Sequence, residues 1–116
     1  MTRNKYNAQK TVVDGITFAS KREAKRYCEL RLLQDAGVIN RLELQPSFKL
    51  AIEGRPVLIK SDGYPNGRQA TYRADFAYFE GNRRIVEDAK GMRTPIFKLK
   101  KALVEAMFPS VEIREV

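Results

Sequence analysis

Apolar and polar positions along the 116-residue chain change period several times, and each change marks an element. In "KTVVDGITF" (10–18), β-branched runs flank Asp14-Gly15, a pairing that favours a type I′ hairpin. "SKREAKRYCELRLLQDAGVI" then opens with Ser20 three residues before Glu23 and stops at Gly37, which predicts a helix between these start and stop signals. Glu23, Tyr27 and Leu30 follow one helical stripe, the one expected to face a sheet.

"NRLELQPSFKLAI" (40–52) and "PVLIK" (56–60) read as strands, the first broken by Pro46. "SDGYPNGRQ" (61–69) reads as turn throughout. Residues 72–91, "YRADFAYFEGNRRIVEDAKG", form two strands about Gly81-Asn82. In "TPIFKLKKALVEAMF", Thr94 caps a second helix with Pro95 at its first position and Ile96, Leu99, Leu103 and Ala106 on one side. "SVEIREV" alternates as a last strand does. The expected architecture is a single α/β domain over 1–116, with a mixed central sheet, the first helix on one face and the second packed alongside. Residues 1–9 read as a mobile basic arm.

Twenty-two Lys and Arg against fourteen Asp and Glu give a formal charge of +8, which points to a polyanionic partner, nucleic acid first. Nothing resembles a base-reading motif, so backbone and shape are the expected features of recognition. The single cysteine, Cys28, forms no internal disulfide, and no apolar run approaches a membrane span, so a cytoplasmic setting without membrane contact is expected. The absence of histidine excludes imidazole zinc ligands and imidazole acid/base chemistry.

The acids in the 72–91 hairpin carry the chemistry. A two-residue turn at Gly81-Asn82 pairs residues whose numbers sum to 163, which sets Asp75 opposite Asp88 on one face with Lys90 beyond and turns Glu87 to the other face. Opposed carboxylates resist joint ionisation unless a cation lies between them, and oxygen ligands favour Mg²⁺ or Mn²⁺. The alternative is that the acids form ordinary cross-strand pairs with Arg73, Arg84 or Lys90. Glu23 carries two readings as well: a capping box, or a carboxylate aimed at the same site.

A helix-borne Glu23, Asp75 on one strand, Asp88-Ala89-Lys90 on the next and then a helix resemble the PD-(D/E)XK nuclease superfamily. "FASKREAKRYCELRLL", "LELQPSFKL", "YRADFAYF" and "EDAKG" together look like a family of small phage-encoded endonucleases of that superfamily, similar to archaeal-type Holliday junction resolvases. The resemblance implies a restriction-endonuclease-like αβββαβ core. It makes Asp75, Asp88 and the Ala89 carbonyl the ligands of Mg²⁺ or Mn²⁺, Lys90 the catalytic lysine and Glu23 the auxiliary acid. Ala74 replaces the proline of the signature, and Asp88 the commoner glutamate.

The implied activity is metal-dependent endonuclease cleavage of junction or branched DNA in phage recombination or replication, by a homodimer if two strands are cut symmetrically. The rival expectations are a nucleic-acid-binding module without catalysis and a ribonuclease. Arg22 and Arg26 beside Glu23, Thr94 at the second helix start, and Lys98 and Lys101 at i, i+3 are the expected DNA contacts. Lys60 to Arg68, with Tyr64 as a candidate for base stacking, extend the expected footprint.

Overall fold

The computed structural model describes residues 9–88 and 94–116. The element order is β1 (Thr11–Val13), β2 (Ile16–Phe18), α1 (Lys21–Asp35), β3 (Asn40–Leu44), β4 (Ser47–Lys49), β5 (Ala51–Ile52), β6 (Arg55–Pro56) and β7 (Leu58–Ser61). β8 (Tyr64–Gln69), β9 (Thr71–Arg73), β10 (Phe76–Glu80), β11 (Arg83–Asp88), α2 (Pro95–Met107) and β12 (Val111–Glu115) follow.

Four strands form a mixed sheet in the order β12-β11-β10-β3. β11 and β12 are parallel, joined through α2, and the remaining pairs are antiparallel. The protein is thus a mixed α/β fold with two helices among the described residues. α1 covers one face through Ala24, Tyr27 and Leu30, which pack with Phe76, Tyr78 and Ile85. α2 covers the other through Phe97 and Val104, against Ala77, Val86 and Tyr72.

Local signals place the helix ends. The Ser20 hydroxyl accepts from the Glu23 N–H at 3.2 Å. At the other end Val38 N–H reaches the Leu33 carbonyl at 2.9 Å and Gly37 N–H the Gln34 carbonyl at 3.0 Å, a Schellman closure that needs the positive φ of Gly37, 80°. Asp14 and Gly15 have φ of 53° and 76°, the I′ signature of the β1–β2 turn.

β3 runs into β4, and β9 into β10, as one long antiparallel ribbon. Both strands break at the same level: Gln45 N–H donates to the Asp75 carbonyl at 2.8 Å and Ala74 N–H to the Pro46 carbonyl at 3.1 Å. Proline removes a ladder donor there, and Gln45 adopts φ of 50° immediately before it. The break opens space between the ribbon and the start of α1.

One expectation from sequence is corrected. Tyr64–Gln69 is a strand paired with β7, the turn being confined to Asp62 and Gly63, so cross-strand pairing overrides the Gly/Pro/Asn composition. The inward face of α2 is Phe97 and Val104, whereas Ile96 and Leu99 are 55% and 60% exposed. Two apolar stripes lie side by side on this helix, and the aromatic one packs against Tyr72, with ring centroids 6.0 Å apart.

Candidate functional site

The β10–β11 register follows the sum of 163 from Glu80↔Arg83 to Phe76↔Glu87 and departs from it at Asp75. The Asp75 N–H donates to the Glu87 carbonyl at 3.0 Å, so Asp75 and Phe76 both lie against Glu87. Such a two-against-one arrangement is that of a β-bulge, which re-aims a side chain. Asp75 is therefore not directly opposite Asp88, as the turn arithmetic predicts. It lines a cleft of about 220 Å³ together with Glu23, Thr17, Leu44, Gln45 and Phe76. The sequence stripe that runs from Glu23 to Tyr27 and Leu30 does put Glu23 in that cleft, while its backbone N–H serves the helix cap.

Asp88 lies at the end of β11, 0% exposed. Its Oδ2 accepts a hydrogen bond from the Tyr72 hydroxyl at 2.8 Å, across from β9. Burial, the bond to Asp88 and the negative charges of Asp88, Asp75 and Glu115 all push the Tyr72 hydroxyl far above its ordinary pKa. Tyr72 is thus a proton donor to Asp88. It also lines a second cleft, of about 370 Å³, with Thr94, Arg73, Lys100 and Phe97.

Glu87 faces away from Asp88, as its alternation in the strand predicts. It is 0% exposed, and the Arg26 Nε and a terminal guanidinium nitrogen bind its two oxygens at 2.7 and 2.6 Å, with the Tyr78 hydroxyl donating as well. The bond to Glu87 raises the Arg26 pKa, while burial and then its own hydroxyl's bond to Glu87 push Tyr78 up to about 12. This bidentate arrangement satisfies a charge whose burial would otherwise be costly.

The remaining predicted residues are scattered. Arg26 also pairs with Glu29 at 2.8 Å, so its guanidinium is committed within the fold. Arg22 donates to the Val116 carbonyl. The Thr94 Oγ1 caps α2 by accepting from the Phe97 N–H at 3.1 Å, Lys101 pairs with Glu115 at 3.2 Å, and Lys98 is exposed. Arg84, considered as a partner for the aspartates, reaches Glu43 at 3.9 Å. Ala89 and Lys90 lie outside the described residues. Among the described residues, no three Asp, Glu or Cys side chains converge as a ready metal-binding group.

Tyr72 belongs to the site although it does not stand among the residues singled out from sequence. Tyr72 reads there as an ordinary alternating strand aromatic. Gln45, which with Pro46 ends a strand near the site in the pattern of the resemblance or else marks a simple edge-strand break, lines the cleft beside Asp75.

This bent ribbon, mixed sheet and pair of flanking helices define a mixed α/β protein with a carboxylate cleft at the end of its central strands. The chain belongs to the family described as a protein of unknown function, DUF1064, whose model matches residues 3–116. No curated protein and no solved structure matches it. No helix among the described residues is long and apolar enough to cross a membrane.

Proposed function

We propose that the chain is a Mg²⁺- or Mn²⁺-dependent DNA endonuclease with a restriction-endonuclease-like core, acting on junction or branched DNA. The observation that carries this reading is a fully buried carboxylate, Asp88, held by the Tyr72 hydroxyl at the end of the strand beside Asp75. Asp88 accepts from Tyr72, Asp75 adds its field there, and Glu23 shares the adjoining cleft with Asp75.

The donor chemistry suits a hard divalent cation. Mg²⁺ is commonly held by one or two carboxylates, with waters and substrate phosphate filling the remaining positions, so a three-side-chain cage is not required. Asp75 and Asp88 are the residues that would hold it, with Glu23 in the cleft that Asp75 lines and the Ala89 carbonyl as a further donor that the resemblance implies. When bound, such a cation polarises a phosphodiester and lowers the pKa of a water.

The chain's own groups do the rest. Tyr72 fixes the rotamer of Asp88. Arg73 and Lys100, around the cleft that Tyr72 also lines, offer positive charge to a phosphate. Lys90, two residues beyond Asp88, supplies a cation for the charge that develops on phosphorus. A water oxygen bonds to phosphorus as one P–O ester bond breaks, the water losing a proton and the departing oxygen gaining one, to leave a phosphate monoester and an alcohol.

The formal charge of +8 suits equally the rival reading of a nucleic-acid-binding module without catalysis. Labelled duplex, single-stranded, flap and four-way-junction DNA, and the matching RNAs, incubated with Mg²⁺, Mn²⁺ or EDTA, separate the readings. The endonuclease reading expects metal-dependent cutting of junction or flap DNA; binding without cutting supports the module, and preferential RNA cutting supports a ribonuclease. Light scattering on the junction complex tests the homodimer that symmetric cutting needs.

A further inference from the structure

The β7–β8 hairpin has no sheet neighbour among the described residues; its strands pair only with each other. All of β7 is exposed, and in β8 only Gly67 and Gln69 are half-buried. An isolated hairpin is marginally stable in water, yet this one leaves Leu58, Ile59 and Tyr64 47%, 43% and 49% exposed.

We infer that the β7–β8 hairpin is a nucleic-acid arm, in which the Tyr64 ring takes an unstacked base while Lys60 and Arg68 take the flanking phosphates. The inference rests on the reading of the chain as a nucleic-acid enzyme and names the substrate feature that its arm recognises. Charge selects the partner: Arg55, Lys60 and Arg68 stand against Asp62 alone between residues 55 and 69. Geometry selects the contact. The Arg68 guanidinium lies 5.0 Å from the Tyr64 ring centroid, and Ile59 pairs with Arg68 across the hairpin. A ring held by a guanidinium on one side and still half exposed is a platform for a base, since every base has a π-face.

The backbone is built to present this platform. Gly67 has φ of +94°, and a Cβ there would lie 2.8 Å from the Leu58 Cβ, so only glycine lets the two strands close as they do. Arg68 precedes Asp75 by seven residues. At about 3.3 Å per residue that bounds their separation at roughly 23 Å, within reach of one DNA branch.

The test is fluorescence anisotropy with labelled single-stranded, four-way-junction and duplex DNA in EDTA, so that binding is read apart from cutting. Tyr64→Ala is expected to weaken binding to single strand and junction by about five- to a hundredfold, with duplex affinity little changed and Tyr64→Phe close to wild type. Lys60→Ala and Arg68→Ala should each flatten the dependence of log K on log salt by about 0.7–0.9. Circular dichroism melts check that each exposed-site variant is folded. If wild type binds and all three alanine variants bind like it, the arm is overturned while the endonuclease reading stands. If Tyr64→Ala instead changes the mass in light scattering at unaltered affinity, the hairpin is an interface with a second copy and the inference fails. Wild type that binds no nucleic acid overturns both.

Discussion

The Tyr72 hydroxyl donates to Asp88 Oδ2 at 2.8 Å, joining the ribbon's β9 to the end of β11. Tyr72 is 2% exposed and Asp88 0%, so this bond operates out of water. Tyr72→Phe removes the donor with little change in shape. It is expected to cost about 1–3 kcal/mol in urea denaturation. In isothermal titration it should also weaken Mn²⁺ binding about ten- to a hundredfold, the usual effect of losing a group that orients a ligand.

Glu23 serves the helix cap through its backbone and the cleft through its side chain. Glu23→Gln keeps the N–H that Ser20 accepts from, so its melting temperature should stay near wild type while DNA cleavage falls. Ser20→Ala is expected to do the reverse, lowering stability by about 1 kcal/mol with cleavage retained well below the melting temperature. Thermal melts and single-turnover cleavage on both variants separate the two roles.

The Arg26–Glu87 pair is a structural element. Arg26→Ala leaves Glu87 buried without its guanidinium and should destabilise by about 3–5 kcal/mol. Replacing the whole group, as Arg26→Met with Glu87→Leu and Tyr78→Phe, should recover much of that loss, since the desolvated charge and the hydroxyl that donates to it are gone as well. Denaturation midpoints of the single and triple variants decide the matter.

Alkaline pH should unfold the protein through its buried tyrosines. Tyr78 is pushed up to about 12, and Tyr72 is raised as well, above an unfolded value of 10.0. A raised pKa means that the folded state holds the proton more tightly. The corresponding stability is fully present below pH 10 and is lost as pH rises towards 12. Melting temperatures are expected to change little through this linkage between pH 7 and 9 and to drop beyond pH 10, less steeply in Tyr78→Phe. A drop equally steep in that variant contradicts the assignment.

Much of this frame is legible in the residues themselves. Ser20 and Gly37 bound α1, Asp14-Gly15 makes the I′ turn, and Gly81-Asn82 sets the pairing from Glu80 back to Phe76, because caps and turns are local chemistry. The bulge at Asp75 left no mark, since one extra residue in a ladder does not disturb the alternation on either side of it. It is this slip that moves Asp75 from direct opposition with Asp88 towards Glu23. The strand at Tyr64–Gln69 was hidden by its composition, and only the partner strand reveals it. Periodicity likewise placed an apolar stripe on α2 without saying which of two adjacent ones meets Tyr72. Tyr72 itself could not be distinguished from a packing aromatic, because its role depends on a hydroxyl contact across 16 residues of chain.

The proposed hydrolysis of DNA through Asp75 and Asp88 is tested most directly by the single-turnover cleavage rate of a four-way junction in Mn²⁺, for wild type beside Asp75→Asn, Asp88→Asn and Lys90→Ala, each shown to be folded. Expected are cutting by wild type that EDTA abolishes, and a fall of about a hundredfold or more in every variant. Folded wild-type protein that binds the junction and leaves it uncut, or variants that cut as wild type does, would contradict the proposal.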